Sequence, residues 1–141
     1  MFKQSNNEVV RYYRTARQDE TAIFNQKLLL DSYCEKHGLT TTEIYVDDGF
    51  SGLNFNRPGW KKLLADTANG PVKTVITTSI DRIGRDYYTT GKVIEELYQN
   101  DGVDFIFVRD GINSAEYVNT FLPLHDTLAA LVAKQEGGDV Q

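Results

Sequence analysis

Two periods of apolar residues, one of about two and one of about 3.6, take turns along this chain and lay out its elements. Residues 8–15 are rich in strand formers (Val9, Val10, Tyr12, Tyr13), and side-chain alternation puts Val10, Tyr12, Arg14 and Ala16 on one face. Residues 1–8 are polar and expected to fray; residues 17–20 read as a loop. From 20 or 21 to 37, Ile23, Phe24, Leu28, Leu30 and Tyr33 follow the helical period, and Gly38 supplies a C-terminal cap. A short strand is expected at 43–46, followed by turn chemistry at 47–52, Asp-Asp-Gly-Phe-Ser-Gly. Arg57 is held extended by Pro58. The stretch 58–68 reads as a helix with proline in its first turn and Trp60, Leu63 and Leu64 inward, stopped by Asn69-Gly70-Pro71.

The run 72–77, Val-Lys-Thr-Val-Ile-Thr, reads as a buried strand. A helix over 87–98 carries Val93, Ile94 and Leu97, a turn follows at 100–102, and 103–108 alternates as another strand before a loop at Asp110-Gly111. Residues 116–135 are apolar at Val118, Phe121, Leu122, Leu124, Leu128, Leu131 and Val132, with Pro123 breaking or kinking the segment. Strand and helix alternate four times, which predicts one α/β domain of three layers with a mostly parallel sheet of four to five strands flanked by helices. The domain is expected to take residues 1–135, and 136–141 has the composition of a linker or cut end.

Composition narrows the function classes. The net charge is −5, so a nucleic-acid partner would have to be met by a local cluster of bases or by another domain. A single cysteine, Cys34, forms no intrachain disulfide and fits a reducing, cytoplasmic setting. No signal-peptide core opens the chain, the apolar run 128–133 is too short to span a membrane, and Cys and His are too few for a structural zinc site.

The chemistry gathers at 79–86, Ser-Ile-Asp-Arg-Ile-Gly-Arg-Asp, where a strand ends and a helix begins. Ligands of open α/β sheets collect at the carboxyl ends of strands. If 81–90 is one helix, Arg82 and Arg85 share a face, and two adjacent guanidiniums favour an anion between them, phosphate above all. The competing reading leaves both solvated or paired with Asp81, Asp86 or Glu95. Arg14 at the end of the first strand and Arg57 in a loop make four arginines at element ends, accompanied by Asp48 and Asp81. Such a set stabilises charge on a phosphodiester directly, without a metal.

Four stretches in order carry a resemblance: Tyr12-Tyr13-Arg14-Thr15-Ala16 to Y-x-R-(V/L)-S, residues 47–52 to D-D-G-x-S-G, Arg57-Pro58-Gly59 to R-P-G, and residues 81–85 to D-R-(L/I)-G-R. Over roughly residues 8–115 the chain resembles the catalytic domain of the serine recombinases, the resolvase/invertase group, and most closely the large serine recombinases of transposons and phages. The resemblance implies a resolvase-like fold and a two-step transesterification, in which a serine attacks a DNA phosphate, forms a 5′-phosphoserine link and frees a 3′ hydroxyl. It implies no cofactor, ATP or metal. Arg14, Arg57, Arg82 and Arg85 would hold the phosphate. Asp81 would act as an acid or orient an arginine, and Gln26 and Asp48 match supporting positions. The implied partners are double-stranded DNA at recombination sites and further copies of the protein, as a dimer or tetramer, with DNA-binding domains and a long oligomerisation helix following this one. Leu124, Leu128, Leu131 and Val132 are either the start of that helix or packed on the domain's own sheet.

One position departs from the pattern. The nucleophilic serine of the family falls on residue 16, and residue 16 is alanine. A methyl group cannot attack phosphorus, so the chain is expected not to cleave DNA, through an engineered Ser→Ala change or as a natural degenerate copy. Ser51 and Ser79 are alternative hydroxyls. A non-catalytic module for DNA binding or oligomerisation is the second reading. A flavodoxin-like phosphate binder is the third, opposed by the absence of glycine from residues 15–20.

Overall fold

A computed structural model of the chain describes residues 8–117. Strand β1 (Glu8–Thr15) leads into helix α1 (Glu20–His37), and β2 (Thr41–Asp48) into α2 (Pro58–Asn69). Then come β3 (Val72–Thr77), a one-turn helix α3 (Ile80–Ile83), α4 (Tyr87–Asp101), β4 (Asp104–Phe107), β5 (Ile112–Asn113) and a 3₁₀ turn over Ser114–Tyr117. The sheet runs β2-β1-β3-β4-β5, parallel except for the antiparallel β4–β5 pair. The expected α/β architecture is therefore what the chain adopts, and β1 is an interior strand, not an edge.

Helices cover both faces. On one side α1 packs Leu30 and Cys34 against Tyr13, Ile76 and Ile106. On the other, Trp60 and Leu63 of α2, Ile80 and Ile83 of α3, and Ile94 and Leu97 of α4 close over Val10, Tyr12, Val75, Phe105 and Phe107. The order of strands reverses between β1 and β3: the chain moves outward from β1 to β2, then crosses to β3 on the far side. A reversal of this kind opens a crevice at the carboxyl ends of the two strands.

Several expectations need correction. The buried face of α1 is Gln26, Leu30 and Cys34, whereas Phe24 and Leu28, expected on the apolar stripe, are 54% and 48% exposed; Gln26 faces the end of β1, as its place in the helix suggests, where two backbone partners receive it. Gly38 caps α1 with φ 67°, as its place after His37 suggests. β2 extends through Asp48, because it pairs with β1 from Val9↔Thr41 to Thr15↔Asp48, so the two aspartates end a strand instead of starting a turn. β4 is shorter than 103–108, and the two-residue β5, reached through Gly111 at φ 68°, has no periodic signal of its own. Expectations for residues 1–7, for the apolar positions from Val118 to Val132 with Pro123, and for the tail lie outside the described residues.

The largest correction is at 81–90, which is not one helix. α3 stops at Ile83, Gly84 is extended (φ −170°, ψ 154°), and α4 begins at Tyr87. Gly84 is also pinched: a Cβ there would collide with Thr90 Oγ1 and stand 3.0 Å from the Phe55 ring. Gly84→Ala should lower stability by about 1–3 kcal/mol in urea unfolding, the usual cost of overpacking. An unchanged midpoint would mean that this break has room to spare.

Candidate active site

The break after α3 follows from two buried arginines. A continuing helix would bond the N–H groups of residues 85, 86 and 87 to the carbonyls of 81, 82 and 83. Arg14 takes two of those carbonyls, with Nη2 to Asp81 O at 2.5 Å and Nε to Arg82 O at 2.9 Å. Arg57 takes the third, with Nη2 to Ile83 O at 2.6 Å. The Arg85 N–H turns instead to Gly52 O, 2.8 Å away. Guanidiniums thus cap the C-terminus of α3, where partial negative charge favours them.

Arg14 is 1% and Arg57 0% exposed. Arg14 also donates from Nη1 to Phe50 O at 2.9 Å. Arg57 donates from Nε to Ser51 O and Asn54 O, both at 3.1 Å, and from Nη1 to the Tyr12 hydroxyl at 3.0 Å. That hydroxyl donates to Asp47 Oδ2 at 2.7 Å, and the Asp47 carboxylate accepts the N–H groups of Gly59 (2.7 Å) and Trp60 (2.9 Å) at the start of α2. Tyr12 and Asp47 therefore join β1, β2, the 49–57 loop and α2 through one buried chain. Tyr12 is the buried tyrosine two residues before Arg14 that the strand alternation places on the same face; Asp47, read from the sequence as turn chemistry, is turned inward by the alternation that also buries Tyr45. The Tyr12 phenol is pushed well above its ordinary pKa, chiefly by burial, so it stays protonated and donates.

At the end of β1, Gln26 grips the Arg14 peptide from both sides, accepting its N–H at 3.3 Å and donating to its carbonyl at 3.0 Å. The same carbonyl accepts Arg82 Nη1 at 3.1 Å, while Arg82 Nε is buried without a hydrogen-bond partner. Ala16 follows, exposed. Asp48 braces the bend on both sides of it: its Oδ1 accepts the Thr15 hydroxyl in a short contact and the Asp19 N–H at 2.8 Å. Gly49 and Phe50 return their N–H groups to Thr15 O, each at 2.9 Å. Gly52 lies between two arginines, where a Cβ would collide with Arg85 Cγ and reach 2.7 Å from Arg14 Nη2.

Gln26, Asp48, Arg14, Asp81, Arg82 and Arg85 are thus linked around the carboxyl end of β1, next to residue 16, and the end of α3. Asp81 contributes its carbonyl to Arg14, and its carboxylate accepts the Ser79 hydroxyl in a short contact. Arg85 is exposed and Arg82 half-buried. Arg57 lies beneath them and presents no surface to solvent; in this arrangement it holds the loop. Arg82 and Arg85 do not share one helix face: Arg82 reaches the Arg14 carbonyl, and Arg85 lies against Gly52 on the side of the Arg14 guanidinium. Ser51 is exposed and its hydroxyl accepts the Leu53 N–H at 3.0 Å. Among the described residues no group of three His, Cys, Asp or Glu side chains could hold a metal ion.

The donors of Arg14, Arg57 and Arg82 go mostly to backbone carbonyls, which satisfy hydrogen bonds without cancelling charge. The Arg14 pKa falls to about 10, first through burial and then through repulsion by Arg57 and Arg82. A dianion in this crevice would relieve that repulsion. Sulfate or inorganic phosphate should stabilise the fold by about 1 kcal/mol once the ion exceeds its Kd about five-fold, seen as a higher melting temperature than in chloride of equal ionic strength. The difference should vanish in the Arg82→Gln, Arg85→Gln double variant; equal shifts in both proteins would rule out an anion pocket. Asp47→Asn should cost about 2–3 kcal/mol in chemical denaturation, because its amide nitrogen cannot accept from an N–H of α2 or from Tyr12. A change under about 0.5 kcal/mol would show that Asp47 does not tie the loop to the sheet.

Comparison with known proteins agrees with this geometry. The family model for the resolvase N-terminal domain matches residues 9–136. The DNA-invertase of Escherichia phage P1 is 25% identical over 113 residues, 80% of this chain and 55% of that protein. The chain thus spans about half the length of the curated relatives it matches. Among solved structures, the N-terminal catalytic domain of TP901-1 integrase aligns with a TM-score of 0.75 at 25% identity, covering 94% of this chain and 97% of that one. A resolvase-family site-specific recombinase from Streptococcus pneumoniae aligns at 0.72 and 22% identity, over 95% and 90% of the two chains, and shows the shared fold. With the motifs, the sheet order and the family model in agreement, this chain belongs to the resolvase N-terminal domain family.

Proposed function

We propose that residues 1–135 are the catalytic domain of a site-specific DNA recombinase and that Ala16 leaves it unable to cut. The observation that carries this reading is the crevice of Arg14, Arg82 and Arg85 beside residue 16, with carbonyl-bonded guanidiniums that keep their charge. A serine at position 16 would attack the phosphorus; the 3′ oxygen would leave with a proton, and a 5′-phosphoserine bond would store the energy for rejoining. Arg82 and Arg85 would stabilise the charge that builds on the phosphoryl oxygens, and Arg14, buried beside them, would add its positive field. Gln26 and Asp48 would position the backbone on either side of the nucleophile, and Arg57 would hold the loop over it. Asp81 would fix Arg14 through its carbonyl. No step calls for a metal or cofactor.

The distribution of arginine supports a DNA backbone as the substrate. Six of the chain's seven arginines (14, 17, 57, 82, 85 and 109) lie at the carboxyl edge of the sheet or in the loops leaving it, against a net charge of −5 for the whole chain. Duplex DNA at recombination sites, dimer and tetramer partners, and a place in the cytoplasm complete the proposal; among the described residues no helix is long and apolar enough to cross a membrane. Ala16 itself favours a second reading, a non-cleaving subunit that binds DNA or pairs with active copies. Alanine at this position in the natural gene would select it.

In a longer protein carrying its DNA-binding part, Ala16→Ser should give an SDS-resistant protein–DNA adduct with recombination-site DNA. Adding Arg82→Gln should slow adduct formation by about 10²–10³-fold. DNA binding without any adduct from the Ala16→Ser protein would count decisively against the catalytic reading.

A further inference from the structure

The carboxyl edge of the sheet carries more arginine than the anion crevice uses. Arg17 and Arg109 belong to none of the four motifs, and both are exposed. Their backbones are nonetheless tied to the crevice. The Arg109 N–H donates to Thr78 O at 2.7 Å, and Asp110 Oδ2 accepts the Ile80 N–H at 2.8 Å, strapping the turn after β4 onto the start of α3. Arg17 follows Ala16 in the bend that Asp48 braces through Thr15 and Asp19.

Strand order sets the spacing. β1, β3 and β4 are successive neighbours, and adjacent strands stand about 4.8 Å apart, so the end of β4 lies about 10 Å from the end of β1. An extended arginine at the end of β4 therefore has a phosphate next to the one at the crevice within its reach, since the charges of one DNA strand repeat every ~3.4 Å of helix axis and lie farther apart along the backbone. The carboxylates nearby are Asp19, Glu20, Asp48, Asp81 and Asp110; Asp19 caps α1 by accepting the Ala22 N–H at 3.0 Å, Asp48 accepts from Thr15 and Asp19, Asp81 accepts from Ser79, and Asp110 is turned toward Ile80.

We propose that Arg17 and Arg109 grip backbone phosphates flanking the one held by Arg14, Arg82 and Arg85, so that the DNA strand crosses the edge of the sheet from the bend after β1, over α3, to the turn after β4. This rests on the reading of the crevice as a DNA site and adds its path. Such contacts fix position and carry no base preference.

The test measures binding of the 141-residue chain, as it stands with Ala16, to a fluorescein-labelled duplex of mixed sequence between 50 and 200 mM KCl. Arg109→Gln and Arg17→Gln should each make the slope of log K against log salt shallower by about 0.9 and weaken binding about five-fold at the low-salt end. Lys36→Gln, at the exposed far end of α1, removes the same charge and should leave the slope unchanged. If Arg82→Gln and Arg85→Gln flatten the slope but Arg109→Gln and Arg17→Gln do not, the proposed path is wrong and the DNA site stands. If none of the four arginine variants changes the slope, both fail together.

Discussion

Two guanidiniums bonded to three consecutive carbonyls hold this structure in its working shape. Arg14 comes from the end of β1 and Arg57 from the loop before α2, and together they occupy the carbonyls of Asp81, Arg82 and Ile83. A helix whose last carbonyls are taken this way cannot continue, so α3 is a single turn and the chain leaves it extended through Gly84. Arg82 is left inside that turn and Arg85 just beyond it. The places of Arg82 and Arg85 follow from that interruption.

The choice of partner matters as much as the contact. Pairing a buried arginine with a carboxylate would neutralise it; pairing it with peptide carbonyls satisfies its N–H groups and leaves the positive charge in place. The cost shows in Arg14, whose pKa is drawn down to about 10 by burial and by its neighbours. A site held slightly uncomfortable by its own charge is one in which an anion is welcome, and the stable core on both faces of the sheet is what tolerates the discomfort.

Position 16 stands apart from this scaffold. The residues around it are fixed by Gln26 on the Arg14 peptide and by Asp48 on Thr15 and Asp19, all acting on backbone or on other side chains. None of these bonds involves the side chain of residue 16, which is exposed, so the frame around it is held by its neighbours alone.

The alternation of strand and helix, the caps and the four motifs are local properties, and the sequence alone determined them: β1, β3, the start of α2 and the Gly38 cap lie where periodicity and turn chemistry put them. Tertiary structure decided what depends on partners distant in sequence. Residues 81–90 have a helical pattern, yet the pattern cannot know that Arg14 and Arg57 will claim its carbonyls from 67 and 26 residues away. Gln26 points inward, against its polarity, because the end of β1 supplies a peptide for it, and Asp47 is a buried link because β2 pairs two residues farther than its apolar run extends. A hydrogen bond between remote groups leaves no period in the sequence, and this site is built almost wholly of such bonds.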